Sequence, residues 1–118
     1  MTRTFIELPI FTKRWQELNF NDDDLRELQK TLLRDPESGV MMQGTGGIRK
    51  IRVAFNNRGK SGSARVCYVD FSEYSRIYLI TVFAKKEQDN LTDAEKTILK
   101  HLVKQLKEEA AQARRSVL

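Results

Sequence analysis

The sequence is poor in the residues that small domains use for covalent and metal chemistry. Its 118 residues include one Cys, Cys67, and one His, His101. A lone thiol excludes a disulfide framework within the chain and fits a reducing, cytoplasmic setting. One His and one Cys fall short of the three or four ligands of the common His/Cys zinc sites. No metal or cofactor is expected, and a Ser–His–Asp or Cys–His nucleophile would have to use His101. No apolar run approaches the roughly 18–20 residues that span a bilayer, so no membrane partner is expected. The opening Met1-Thr2-Arg3-Thr4-Phe5 lacks the continuous apolar stretch of a secretory signal. Hydrophobic residues make up 40% of the chain, enough for a core and too many for a disordered tail. The length suits one domain over residues 1–118.

Acidic residues are missing from one whole stretch. Between Glu37 and Asp70 there are none, while Arg49, Lys50, Arg52, Arg58, Lys60 and Arg65 all fall there. The chain carries a formal charge of +5, and the flanking segments nearly balance: six basic against eight acidic before Ser38, nine against eight from Asp70 on. The excess is therefore concentrated in the centre. A field of that kind suits a polyanion such as nucleic acid. The plain alternative is a solvated basic face.

The pattern along the chain reads as strand, two helices, three strands, helix. Residues 3–8 form a short strand stopped by Pro9. Ile10, Phe11, Trp15 and Leu18 recur at helical spacing. Asp22-Asp23-Asp24 opens a second helix, its short carboxylates capping free N–H groups. Leu25, Leu28, Leu32 and Leu33 are its stripe, and Pro36 and Gly39 end it. Val40-Met41-Met42 is a short apolar run. Gln43-Gly44-Thr45-Gly46-Gly47 is a tight turn. Residues 48–55 alternate, with Ile51, Val53 and Phe55 on one face and Lys50, Arg52 and Ala54 on the other. A basic hairpin loop follows. Residues 64–71 place Arg65, Cys67 and Val69 on one face, and Val66, Tyr68 and Asp70 on the other. Residues 76–84 are continuously apolar, which predicts a central strand. Thr92 and Glu95 form a capping box for a long helix with Ala94, Ile98, Leu102, Leu106 and Ala110 as its stripe. The fold class is α+β: a small antiparallel sheet with two N-terminal helices and a C-terminal helix packed on one face.

Several features have a structural reading that outweighs a functional one. The glycine turn lacks the Lys-Ser/Thr ending and following helix of a phosphate loop. His101, among Lys100 and Lys104, reads as exposed. Cys67 reads as a buried, inert apolar group. Phe11, Trp15 and Phe20 read as core. The Lys-rich final helix reads as a packing helix. What remains is a basic cluster: Arg65 on the middle strand, Lys85 at the end of the last, and Lys50 and Arg52 on the strand before. Such a cluster would grip a phosphodiester backbone, Arg as a fork and Lys as a point charge. It would also stabilise charge developing on a phosphate during attack by the adjacent ribose 2′-hydroxyl.

Three stretches carry a resemblance. They are Asp35-Pro-Glu-Ser-Gly-Val-Met-Met-Gln-Gly-Thr-Gly-Gly-Ile-Arg-Lys-Ile-Arg-Val53, Gly59-Lys-Ser-Gly-Ser-Ala-Arg-Val-Cys-Tyr68 and Tyr78-Leu-Ile-Thr-Val-Phe-Ala-Lys-Lys-Glu87. In this order they resemble the HigB branch of the RelE/ParE toxin superfamily. The resemblance implies a RelE-like fold and a toxin of a type II toxin–antitoxin pair. It implies cleavage of translated mRNA at the A site of the 70S ribosome, without metal, by attack of a 2′-hydroxyl on the scissile phosphate. It implies as partner a cognate helix-turn-helix antitoxin, with operator DNA bound only through the complex. By position, Arg65 matches the hairpin arginine that would stabilise the transition state, and Lys85 the lysine that would donate a proton or bind phosphate. Lys50 and Arg52 would hold RNA. Phe83 stands where relatives often carry tyrosine; it would stack on a base but cannot exchange a proton. Lys86, Arg49, Arg58 and Lys60 would contact backbone or ribosomal RNA. A ParE-like toxin acting on gyrase and an inactive RNA-binding relative are the alternatives.

Overall fold

The computed structural model describes residues 2–54, 63–84 and 91–117. The basic hairpin loop and the exit loop that carries Lys85 lie outside them.

Strand β1 (Thr4–Glu7) is short because Pro9 follows. Pro9 does more than stop it. It opens helix α1 (Pro9–Glu17), where a missing N–H costs no hydrogen bond. Phe11 and Trp15 face inward, and a reversal at Asn19 (φ 63°) turns Phe20 back under them. The rings stack in series, Phe11 on Trp15 at 5.3 Å and Trp15 on Phe20 at 4.2 Å between centroids. Helix α2 (Asp22–Arg34) has Asn21 as its N-cap, and of the three aspartates only Asp24 takes part in the capping, as the reciprocal half of the box. Asn21 Oδ1 accepts the Asp24 N–H at 2.9 Å, and Asp24 Oδ2 accepts the Asn21 N–H at 2.8 Å. Asp22 and Asp23 serve the dipole of the first turn.

Strands β2 (Val40–Met41), β3 (Arg49–Ala54), β4 (Ser63–Phe71) and β5 (Arg76–Ala84) follow, with a 3-10 turn at Ser72–Tyr74. Their order in the sheet is β1-β5-β4-β3-β2. The meander of β3, β4 and β5 is antiparallel, as the sequence predicts. The sheet as a whole is mixed, because β1 joins β5 in parallel. β5 is interior, as its apolarity predicts. The run at 40–42 yields the short edge strand β2, paired to Met41↔Arg49 and Val40↔Lys50.

The helices are not on one face. Phe11, Trp15, Leu28 and Leu32 pack on Ala64, Val66, Tyr68, Ile77, Leu79 and Val82. On the opposite face Cys67, Val69, Tyr78 and Ile80 meet Val103, Leu106 and Ala110 of helix α3 (Asp93–Val117). Interior strands that are apolar at every position need cover on both sides. The contact stripe of α3 also differs from a simple spacing of four. Leu99, Leu102, Val103, Leu106 and Ala110 face the sheet, while Ala94 is exposed and Ile98 is 67% exposed. Steps of four drift about 40° each around a helix, and only alternating threes and fours stay on one side.

Two turns position this frame. Gly44, Gly46 and Gly47 all have positive φ, and the buried Thr45 hydroxyl closes their turn. It donates to the Met42 carbonyl (2.7 Å) and accepts the Ile48 N–H (3.2 Å). The turn is a seat for α3: a Cβ on Gly46 would stand 3.4 Å from Lys100 Cγ and 3.7 Å from Val103. On the other face, fully buried Tyr68 donates its hydroxyl to the Pro36 carbonyl (2.8 Å) and accepts the Gly39 N–H (2.9 Å). Tyr68→Phe leaves both groups unpaired in the interior. It should cost about 1–3 kcal/mol in urea unfolding; a cost within about 0.5 kcal/mol would show that this bridge does not hold the turn.

Candidate nucleic-acid interface

The register of the sheet places the predicted residues. Arg52 on β3 pairs with Arg65 on β4, and Arg65 pairs with Phe83 on β5. One step along, Lys50 pairs with Cys67 and Cys67 with Thr81. Neighbouring strands lie about 4.8 Å apart, so each row of three spans roughly 10 Å. Arg52, Arg65, Phe83 and Lys50 thus share the face that α3 partly covers.

Phe83 reaches that face through a bulge. The pairs Cys67↔Thr81 and Tyr68↔Leu79 leave Ile80 as an extra residue. Ile80 and Thr81 therefore both look toward α3. Val82 returns to the first core and Phe83 packs against the second. Strict alternation from Leu79 would have sent Phe83 to the opposite side.

Arg52 and Arg65 stand directly opposite each other. Like charges in that position weaken a strand pair. Among the described residues, no carboxylate forms an ion pair with Arg52, Arg65 or Lys50. Arg65 has one aligning contact: Nη1 donates to the hydroxyl of buried Ser63 at 3.0 Å. Neither Ser63 nor Thr81 was singled out by the sequence reading. Alternation with Arg65 was the available signal for Ser63, and alternation with Phe83 that for Thr81. The row can bind two or more phosphate oxygens and favour negative charge growing between them.

Arg49 does not join this row. It faces the other way, and its Nη1 donates to the carbonyls of Gly39 (2.9 Å) and Glu37 (3.2 Å). Lys85, Lys86, Arg58 and Lys60 lie outside the described residues. His101 is exposed at a wider cleft, about 1080 Å³, at the far end of the sheet. Part of that cleft's charge is tied up within the protein, and Asp35, Glu37, Asp70 and Glu73 line it beside the basic residues. Arg3 Nε meets Asp70 at 2.7 Å and Lys107 meets Glu73 at 3.4 Å. The smaller basic face, not the larger cleft, is therefore the candidate.

Cys67 lies under the face, buried, its Sγ 4.0 Å from Met42 Sδ. Burial pushes its thiol up to about 11, with Lys50 pulling weakly the other way. It is an apolar floor, as its mid-strand position predicts. Tyr68 and Tyr78 are raised as well, both chiefly by burial. Between pH 9 and 11 the unfolded chain gives up the thiol proton that the folded chain keeps. Stability is therefore full below pH 9 and falls above it. The thiol's share is about 3 kcal/mol. Chemical denaturation from pH 8 to 11 should show a shallower alkaline fall for Cys67→Ala than for the wild type; parallel curves would contradict this.

A model of the family described as the RelE toxin of the RelE/RelB toxin–antitoxin system matches residues 8–117. The match runs from α1 through the basic row and nearly to the end of α3. The chain belongs to the RelE toxin family, the toxin component of a toxin–antitoxin system.

Proposed function

We propose that this toxin is a ribosome-dependent endoribonuclease of the HigB branch that cleaves translated mRNA. The observation that carries the reading is the facing pair Arg52 and Arg65, without a described carboxylate partner. A fold that pays for two opposed guanidinium groups is best explained by an anion that lies between them. Attack of a ribose 2′-hydroxyl on the adjacent phosphate builds negative charge on the non-bridging oxygens. Arg65, aligned by Ser63, stabilises that charge; Arg52 and Lys50 hold the flanking phosphates. Phe83 offers a ring to a neighbouring base. Lys85, the residue after Ala84 in sequence, supplies the proton for the leaving 5′-oxygen or binds the phosphate. The ribosome supplies what the chain lacks, an immobilised substrate held for in-line attack. A cognate helix-turn-helix antitoxin neutralises the toxin, and operator DNA is bound only by the pair.

Primer extension on mRNA from a translation extract tests this. The wild type should produce discrete ribosome-dependent breaks. Arg65→Ala should lower the cleavage rate by about 10²–10³, the scale of losing one transition-state donor. Arg65→Lys should recover only part, because a point charge cannot replace a fork. Intact mRNA with wild-type toxin would overturn the reading. Inhibition of supercoiling by purified gyrase would instead identify a ParE-like action.

A further inference from the structure

Beside the basic row lies a second feature that phosphate binding does not use. A cavity of about 350 Å³ opens between the bulged end of β5 and the first turns of α3. Its walls are apolar: Ile48, Cys67, Ile80, Phe83 and Leu99. Lys50, Thr81 and the capping-box residue Glu95 make up its polar side, and exposed Ile98 forms part of the rim. The bulge makes the floor, because it turns Ile80 and Thr81 to the same side. Two residues, Lys50 and Phe83, belong both to the cavity and to the basic face.

That juxtaposition has the shape of a nucleotide. Cations in a row suit phosphates. An apolar slot one strand spacing away, walled by an aromatic ring, suits the flat base that hangs from them. Proteins that read single-stranded RNA splay bases out of the stack and hold them on aromatic faces, with a few polar groups on the base edge. The volume is within the range of small-ligand sites and exceeds a single base. An apolar protein side chain would fit the walls but would make no use of Lys50 and Thr81.

We propose that the cavity beneath the N-terminal half of α3 seats an unstacked RNA base, with Lys50 and Thr81 meeting its polar edge. Base preference then resides in the bulge and in α3, whereas the arginine row reads only phosphate. This extends the RNA-facing reading of the same site, but its test does not depend on cleavage.

Backbone amide NMR on the full chain, titrated with a short RNA and with the same RNA made abasic at one position, separates the two. The base-bearing RNA should shift Ile80, Thr81 and Leu99. The abasic RNA should shift only the surroundings of Arg52 and Arg65. Ile98→Trp, which caps the rim from an exposed position, should weaken binding of the intact RNA at least tenfold and leave the abasic RNA unchanged. Thr81→Ile, which fills the floor while keeping a β-branched residue in the strand, is the second variant should the first misfold. Equal shifts from the two RNAs, or cavity shifts from neither, would overturn the proposal. Cavity shifts caused by an apolar peptide and not by RNA would do the same. Base-dependent shifts in a protein that cleaves no mRNA would uphold the base seat and sink the proposed nuclease activity. In a cleaving extract, Ile98→Trp and Thr81→Ile should move the breaks to different codons; an unchanged cleavage pattern would count against the cavity as the seat of preference.

Discussion

Cys67 and Tyr68 on β4 pair with Thr81 and Leu79 on β5, and the residue between those partners, Ile80, is left over. The placement of the side chains on the α3 face hangs on that one extra residue. Before it, β5 sends Ile77 and Leu79 to the α1–α2 core; after it, Val82 goes there instead. The phase change keeps a valine in the core and brings Phe83 into line with Arg65 and Arg52. A bulge also sharpens the local twist and bends the strand. Here the bend coincides with the gap beneath α3.

Burial on both sides of the sheet then sets how far α3 can cover that face. The C-terminal half of α3 is tied down. Tyr78 donates its hydroxyl to Glu109 at 2.7 Å, and Arg114 donates to the Glu73 carbonyl at 2.7 Å. Val103, Leu106 and Ala110 fill the core between these bonds. The N-terminal half rests on the glycine turn and on its own capping box, in which Glu95 and Thr92 satisfy each other's N–H groups. The glycines matter because they take positive φ, and because the lysine stems of α3 and Val103 pass close to Gly44 and Gly46. The same approach seats the helix while leaving the cavity over Ile80 and Thr81.

Local chemistry was legible in the sequence where a residue's own neighbours decide its state. The limits of β5 at Arg76 and Ala84, the Thr92–Glu95 box, the buried thiol of Cys67 and the aromatic core at Trp15 all follow from short-range pattern. Expectations failed where a distant partner decides. Val40 and Met41 become a strand only because Arg49 and Lys50 lie opposite. The face taken by α3 depends on how much apolar surface β4 and β5 expose together. Asn21 outranks three aspartates as the N-cap because its backbone, not its charge, sits in the capping position. The alternation of Lys50 and Arg52 was readable, and so was the shared face of Arg65. Their facing pair was not, since a slip of one residue would have separated them. Phe83 required the bulge, which no period-two pattern announces.

The chemistry open to such a row is narrower than its charge suggests. A guanidinium offers a fork of donors and no acceptor, so Arg52 and Arg65 are suited to stabilising charge rather than to relaying protons. Thr81 and Ser63 offer hydroxyls that orient rather than titrate. On the proposed reading, proton movement must fall to a lysine, to water, or to groups on the substrate and its carrier. A catalyst built this way gains little from binding RNA loosely in solution, because an unaligned 2′-hydroxyl does not profit from a stabilised phosphate. It gains much when another body holds the nucleotide in line for attack. On the proposed reading, dependence on the ribosome would follow from the residue types in the row, because the row supplies charge but no alignment of the substrate.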